Sequence, residues 1–219
     1  TTDPGVAQIV ATTTFEQGSL NFTNSYEPTS ATLEGDTALH GTKTVDGRNI
    51  LNGETFDFVL MPINDSAQQA VTNGWISIDG GWSNTSTSTA STPAGNGNSN
   101  TADFAFGKMA FTHVTGEDGY QFAIIEVLPE DVSPYDPVKD GLTYDRHQTN
   151  VTITVTDNGH GALEAKATYD NSASTDAEDA AEITKAAFTN VYAATGSVTG
   201  SDVFDVSKTF TGRENNEWT

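Results

Sequence analysis

Three residues combine chemical type with position in a way that could do chemistry. They are Lys43 in ALHGTKTV, Glu126 in YQFAIIEV and Asn190 in FTNVY. An amine, a carboxyl and a carboxamide can carry out one reaction together: the amine attacks the amide carbon, ammonia leaves, and a new amide joins the two side chains. The amine must first be neutral, and burial among aromatics lowers a lysine's proton affinity. Burial raises a glutamate's pKa, so the acid can stay protonated, hydrogen-bond the Asn carbonyl oxygen, polarise the carbon and shuttle protons. The same three groups also fit an unreactive arrangement, a buried Lys–Glu ion pair with the amide satisfying spare hydrogen bonds.

The elements that must position them read as strands. Alternate side chains of a strand share a face. Lys43 is in phase with Leu39 and Val45, Glu126 with Tyr120, Phe122 and Ile124, and Asn190 with Phe188 and Tyr192. Each polar residue therefore stands where an apolar one belongs. An amide left without a partner in an apolar medium costs roughly 2–7 kcal/mol, so three such positions invite a common explanation.

The rest of the chain supports an all-β reading. ETFDFVL alternates, DFAFGKMAF and YQFAIIEV follow, and NVTITVTDNGHGALEAKATY is a hairpin turning at DNGHG. Residues 81–100, GWSNTSTSTASTPAGNGNSN, are low in complexity and read as a long surface loop or insertion. DAEDAAEITKAAF could hold one or two helical turns before the last strand. Many short strands separated by turn signals point to a β-sandwich.

An internal repeat sets the expected boundaries. FTNSY through VDGR carries Asn24, Tyr26, Lys43, Gly47 and Arg48, and FTNVY through FTGR carries Asn190, Tyr192, Lys208, Gly212 and Arg213. A fixed period of this size suggests tandem whole domains. Residues 1–28 then hold the last strand of a preceding repeat, 29–196 a complete domain, and 197–219 the first strand of a following repeat. Asn24 and Lys208 would be the crosslink halves of those neighbouring repeats, packed on the complete unit or paired with flanks of another molecule.

Composition excludes several classes. The net charge of −21 repels phosphate backbones and anionic lipid, so no nucleic-acid partner is expected. With no cysteine there are no disulfides, thiol chemistry or Cys-based zinc sites. No segment is apolar enough for membrane insertion. His40, His113, His147 and His160 are scattered, so no metal is expected, and no cofactor motif such as a P-loop or GxGxxG appears.

The words KTVDGRNILNGETFDFVL, FAFGKMAFTHVTGEDGYQFAIIEVLPE, DGLTYDRHQTNVTITVTDNGHGAL and AAFTNVY cover most of residues 37–192. In this order they resemble the isopeptide-linkage domains of Gram-positive major pilins (T-antigen-type) and related CnaB-like adhesin stalk modules. The resemblance implies an immunoglobulin-like (CnaB-like) β-sandwich. It also implies an autocatalytic bond between Lys43 on the first strand and Asn190 on the last, promoted by Glu126 on a middle strand. On this reading the protein is extracellular, in a pilus or a cell-wall-anchored surface protein. Its partners are neighbouring repeats of the same polypeptide, and its only chemistry is one turnover on itself, not enzymatic. The longer stretch at 81–100 and the lack of a visible polymerisation or wall-sorting motif leave shaft pilin and adhesin stalk both open. The alternative function is an adhesin domain that binds a host glycan or protein through loop 81–100 or through Trp75 and Trp82.

Overall fold

The computed structural model describes residues 24–170 and 183–194. In chain order the elements begin with β1 (Ala31–Leu33), the single turn α1 (Gly35–Ala38), β2 (His40–Asp46), β3 (Asp57–Pro62) and α2 (Asp65–Thr72). Then come β4 (Ile76–Ile78), β5 (Ser88–Ser91), β6 (Thr101–Ala105), β7 (Met109–Phe111) and β8 (Tyr120–Glu126). The last are β9 (Val138–Lys139), β10 (Leu142–Thr143), β11 (Gln148–Asp157), β12 (Leu163–Asp170) and β13 (Ala186–Tyr192).

Two five-stranded sheets, β6-β2-β13-β10-β9 and β12-β11-β8-β3-β5, form the layers of an immunoglobulin-like sandwich. A small sheet, β1-β7-β4, accompanies them. The two large sheets meet through aromatics. Phe58 on β3 stacks on Phe104 of β6 with centroids 3.7 Å apart, and lies 5.1 Å from Phe188 of β13. Alternation explains which side chains enter: Phe58 and Leu60 on β3, Val151, Ile153 and Val155 on β11, and Ala186 and Phe188 on β13 are all buried.

The first long strand and the last are neighbours. β2 and β13 pair in parallel, with Lys43 opposite Phe188 and Val45 opposite Asn190. Gly41 makes this approach feasible, because a Cβ there would collide with the Phe104 ring and the Ala186 carbonyl. β8 sits in the middle of the other sheet, paired with β11 and β3, and Glu126 lies opposite Phe58.

The structure corrects two sequence expectations and adds one element that the sequence reading did not address. Residues 81–100 are not simply a surface loop: β5 joins the second sheet beside β3, with Ser88, Ala90 and Thr92 buried. Small residues at every second position fill that inward face, and low complexity hid the period of two. DFAFGKMAF is not one strand. It divides into β6 and β7 in different sheets, because Gly107 packs against Asp79 where a side chain would not fit. The helix α2 was unforeseen, although Asn64 caps it by accepting the Ala67 N–H, and Ala67, Ala70 and Val71 give it a buried stripe.

Of the expected preceding strand, residues 1–23 lie outside the described residues, and 24–28 are not in a strand. Tyr26 fastens this segment to the β11–β12 turn: its hydroxyl donates to Asp157 (2.9 Å) and accepts from the Gly161 N–H (3.0 Å). Of residues 176–188, expected to hold one or two helical turns, 176–182 lie outside the described residues, 183–185 are not helical and β13 already begins at Ala186. The strand expected over 197–219 also falls outside the described residues.

The role of β5 has a direct test. Ala90→Asp should destabilise the domain by about 2–3 kcal/mol through an unpaired buried charge, while Thr89→Asp on the outer face stays within about 0.5 kcal/mol. Urea-unfolding midpoints of the two variants measure the difference; equal midpoints would mean that β5 is surface chain.

Candidate functional site

β2, β13 and β8 bring Lys43, Glu126 and Asn190 together between the two layers. Lys43 is 0%, Glu126 6% and Asn190 0% exposed. Packed sheets stand about 10 Å apart, a gap that only long side chains can cross. Lys43 Nζ donates to Glu126 Oε2 at 2.7 Å, and Asn190 Nδ2 donates to Oε1 of the same carboxylate at 2.8 Å. The Lys43 ammonium also lies over the Phe56 ring, 5.0 Å from its centroid.

Burial dominates the electrostatics. It lowers the Lys43 pKa from its ordinary value, and the charge and hydrogen bond of Glu126 offset this only in part. It raises the Glu126 pKa, with the Lys43 charge, then the Lys43 and Asn190 hydrogen bonds, working in the opposite direction. Both shifts favour the pair in which one proton has moved from the amine to the acid.

One contact differs from the sequence expectation. Glu126 faces the amide nitrogen of Asn190, not its carbonyl oxygen. The oxygen is already taken, since Oδ1 accepts the main-chain N–H of Asp145 at 2.7 Å. An N–H can only donate, so the Asn190 oxygen must face Asp145 and the nitrogen must face Glu126. Sequence reasoning missed Asp145, for its contribution here is a backbone group that any residue but proline carries.

The repeat words also meet in space. The Arg48 guanidinium sits over the Tyr192 ring at 5.1 Å and makes two 2.7 Å hydrogen bonds to Glu54. A Cβ at Gly47, where φ is +93°, would run into the Tyr192 carbonyl. Gly47, Arg48 and Tyr192 thus fasten together the ends of β2 and β13. Asn24 is exposed and apart from the buried three, and Lys208 lies outside the described residues. Among the described residues, no cluster of His, Asp and Glu is suited to a metal ion. Trp82 donates its indole N–H to the Ile76 carbonyl and packs on Phe122, and Trp75 stacks on His113.

The family model described as FctA, a Spy0128-like isopeptide-containing domain, matches residues 39–193, well over half of the chain. The chain belongs to this family. The match bears out the resemblance read over residues 37–192 to the isopeptide domains of Gram-positive major pilins. Among solved structures, the major pilin protein (T-13) from Streptococcus pyogenes serotype GAS131465 is similar at 17% identity, with a TM-score of 0.35. The alignment covers 75% of this chain and 54% of that one, so the chain spans about half the length of that pilin. No curated protein matches.

The two pKa directions give a prediction with a definite sign. In Lys43→Met, Glu126 keeps its burial and loses the cation that opposed it, so its folded pKa lies above the unfolded value. A raised acid binds more protons when folded. Its stabilising contribution is complete below about pH 4.3 and is lost as pH rises through the folded pKa. Urea midpoints of Lys43→Met should therefore fall as pH rises above about 4.3, whereas those of Lys43→Met/Glu126→Gln should not carry this slope. Parallel profiles for the two variants would contradict the raised Glu126.

Proposed function

We propose that Lys43 and Asn190 join in an autocatalytic isopeptide bond promoted by Glu126, and that the chain is a structural module of a Gram-positive surface pilus or adhesin stalk. The observation that carries this reading is the shared carboxylate of Glu126. It receives the amine at 2.7 Å and the amide nitrogen at 2.8 Å, with all three groups removed from water.

The atoms balance without any outside reagent. One proton passes from Lys43 to Glu126, leaving a neutral amine and a carboxylic acid. Nζ adds to Asn190 Cγ, and negative charge moves to Oδ1. Glu126 gives its proton to Nδ2 and takes one from Nζ. The Cγ–Nδ2 bond then breaks, ammonia leaves, and the Nζ–Cγ amide remains. Facing the amide nitrogen suits this role, since the acid stands beside the group that must be protonated in order to leave.

The mechanical consequence follows from the parallel pairing of β2 with β13. Tension entering at the start of β2 and leaving at the end of β13 would run along three residues, cross the bond and exit. It would bypass 190 − 43 = 147 positions of chain. Chain-entropy reasoning for a closed loop of this length gives roughly 5 kcal/mol of stabilisation. A cysteine-free module would gain what a disulfide supplies, without sensitivity to reductants. Its partners are then neighbouring units of the same polypeptide and other pilin subunits, and its location the cell surface. The same role fits the domain boundaries proposed for residues 29–196 and their flanking repeats. The alternative of ligand binding through 81–100 finds less support, because β5 spends the middle of that stretch in sheet pairing and Trp82 packs inward.

An accurate intact mass tests the proposal. The native protein should lack the mass of one ammonia, and Glu126→Ala and Asn190→Ala should show their full calculated masses. A native protein at full mass would leave the three residues as a buried ion pair with an amide, and would remove the mechanical argument.

A further inference from the structure

The crosslinking reading leaves one group unexplained: the atom on which charge develops already has a dedicated donor. We propose that the main-chain N–H of Asp145 is the oxyanion donor of the crosslinking step, and that the Asp145 side chain is the positioning residue that holds it there. This inference rests on the crosslinking reading above.

The Asp145 N–H lies 2.7 Å from Asn190 Oδ1, within the range of a donor that stabilises a tetrahedral oxyanion. As Nζ adds to Cγ, the carbonyl electron pair moves onto Oδ1. A fixed dipole meets that charge inside a site closed to water, where it is worth more than in solvent. When ammonia leaves, the pair returns to the carbonyl and the same N–H holds the oxygen of the new amide.

The segment between β10 and β11 is not free to wander. The Asp145 carboxylate accepts the Thr189 N–H at 2.7 Å, so residues 145 and 189–190 are tied in both directions. The other carboxylate oxygen accepts the His147 main-chain N–H at 3.0 Å and meets His147 Nδ1 at 2.7 Å. The His147 ring stacks on Phe188, with centroids 4.5 Å apart. Burial pushes the Asp145 pKa up, but the His147 and Thr189 hydrogen bonds outweigh it and lower the pKa, keeping a carboxylate that can accept them. One residue thus grips β13 at Thr189 with its side chain and orients Asn190 with its backbone. The orientation has a second effect: with Oδ1 held by Asp145, the leaving nitrogen is turned toward Glu126.

The experiment follows bond formation in full-length chains made by cell-free synthesis, reading the loss of one ammonia by intact mass over time. Three chains are compared: the native sequence, Asp145→Ala, and the Asp145→Ala chain with its residue-145 N–H replaced by an ester oxygen through an α-hydroxy acid. Protease resistance reports folding of each, and urea midpoints are compared in a Glu126→Ala background. We expect Asp145→Ala to crosslink about 10-fold more slowly than native through lost positioning. The ester chain should be slower again, by about 10²-fold. A folded ester chain that crosslinks as fast as its amide counterpart would overturn the oxyanion assignment. Should the ester chain remain protease-sensitive, Asp145→Ala decides: native speed overturns the positioning role, and slow crosslinking with an unchanged urea midpoint supports it. A native chain that never loses ammonia would instead bring down the crosslinking reading itself, a result distinct from equal rates.

Discussion

A lysine with no solvent exposure cannot remain an unpaired ammonium, and this constraint organises the domain. Moving one charge out of water costs several kcal/mol even after relaxation. Lys43 therefore needs a carboxyl across the interlayer gap. Glu126 supplies it from the middle of the opposite sheet, and Asn190 uses the oxygen that lysine leaves free. The aromatic packing of Phe58, Phe104 and Phe188 keeps water out and so makes the pairing obligatory. Gly41 belongs to the same requirement, since its missing side chain lets the Phe104 ring and β13 lie close to β2.

Topology turns the pairing into a link between the two ends of the fold. Parallel neighbours within a sheet need a long connection, and here the connection is nearly the whole domain. The chemical groups that meet are therefore close in space and far apart in sequence. Arg48 and Tyr192 reinforce the junction at the strand ends, and Gly47 lets the chain pass over the Tyr192 carbonyl. These residues recur in the repeat words together with lysine and asparagine. Among the described residues, the repeat words thus hold the groups that fasten these two strand ends together as well as Lys43 and Asn190.

Much of this was legible in the sequence, for a specific physical reason. A polar residue in the apolar phase of a strand is costly, so Lys43, Glu126 and Asn190 announced themselves by parity. The strands β3, β8, β11 and β12 were legible because their apolar residues alternate. β5 was not, because serine, threonine and alanine occupy both of its faces and hydropathy carries no contrast. The division of DFAFGKMAF was hidden because the strand pattern continues through Gly107, and only packing against Asp79 separates the two halves. Asp145 was invisible for another reason: a main-chain donor leaves no mark in residue type. The direction of the Asn190 amide, set by that donor, could not be read either.

Reactivity and stability need not compete in such a site. Before reaction the pocket holds an amine, an acid and an amide, each stabilised only by its partners. After the proposed reaction two of them become one neutral amide, and the cost of burying a charged amine disappears. Folding must come first, because a one-residue slip of β13 would turn Thr189 or Val191 inward and leave no amide in reach. The chemistry would then act on the native register alone and, with ammonia gone, make that register permanent. A pair of costly buried charges is weak support for a fold at equilibrium. On the proposed crosslinking, the same pair would have a different value as the precursor of a covalent bond: its instability would drive the step that locks the strands together.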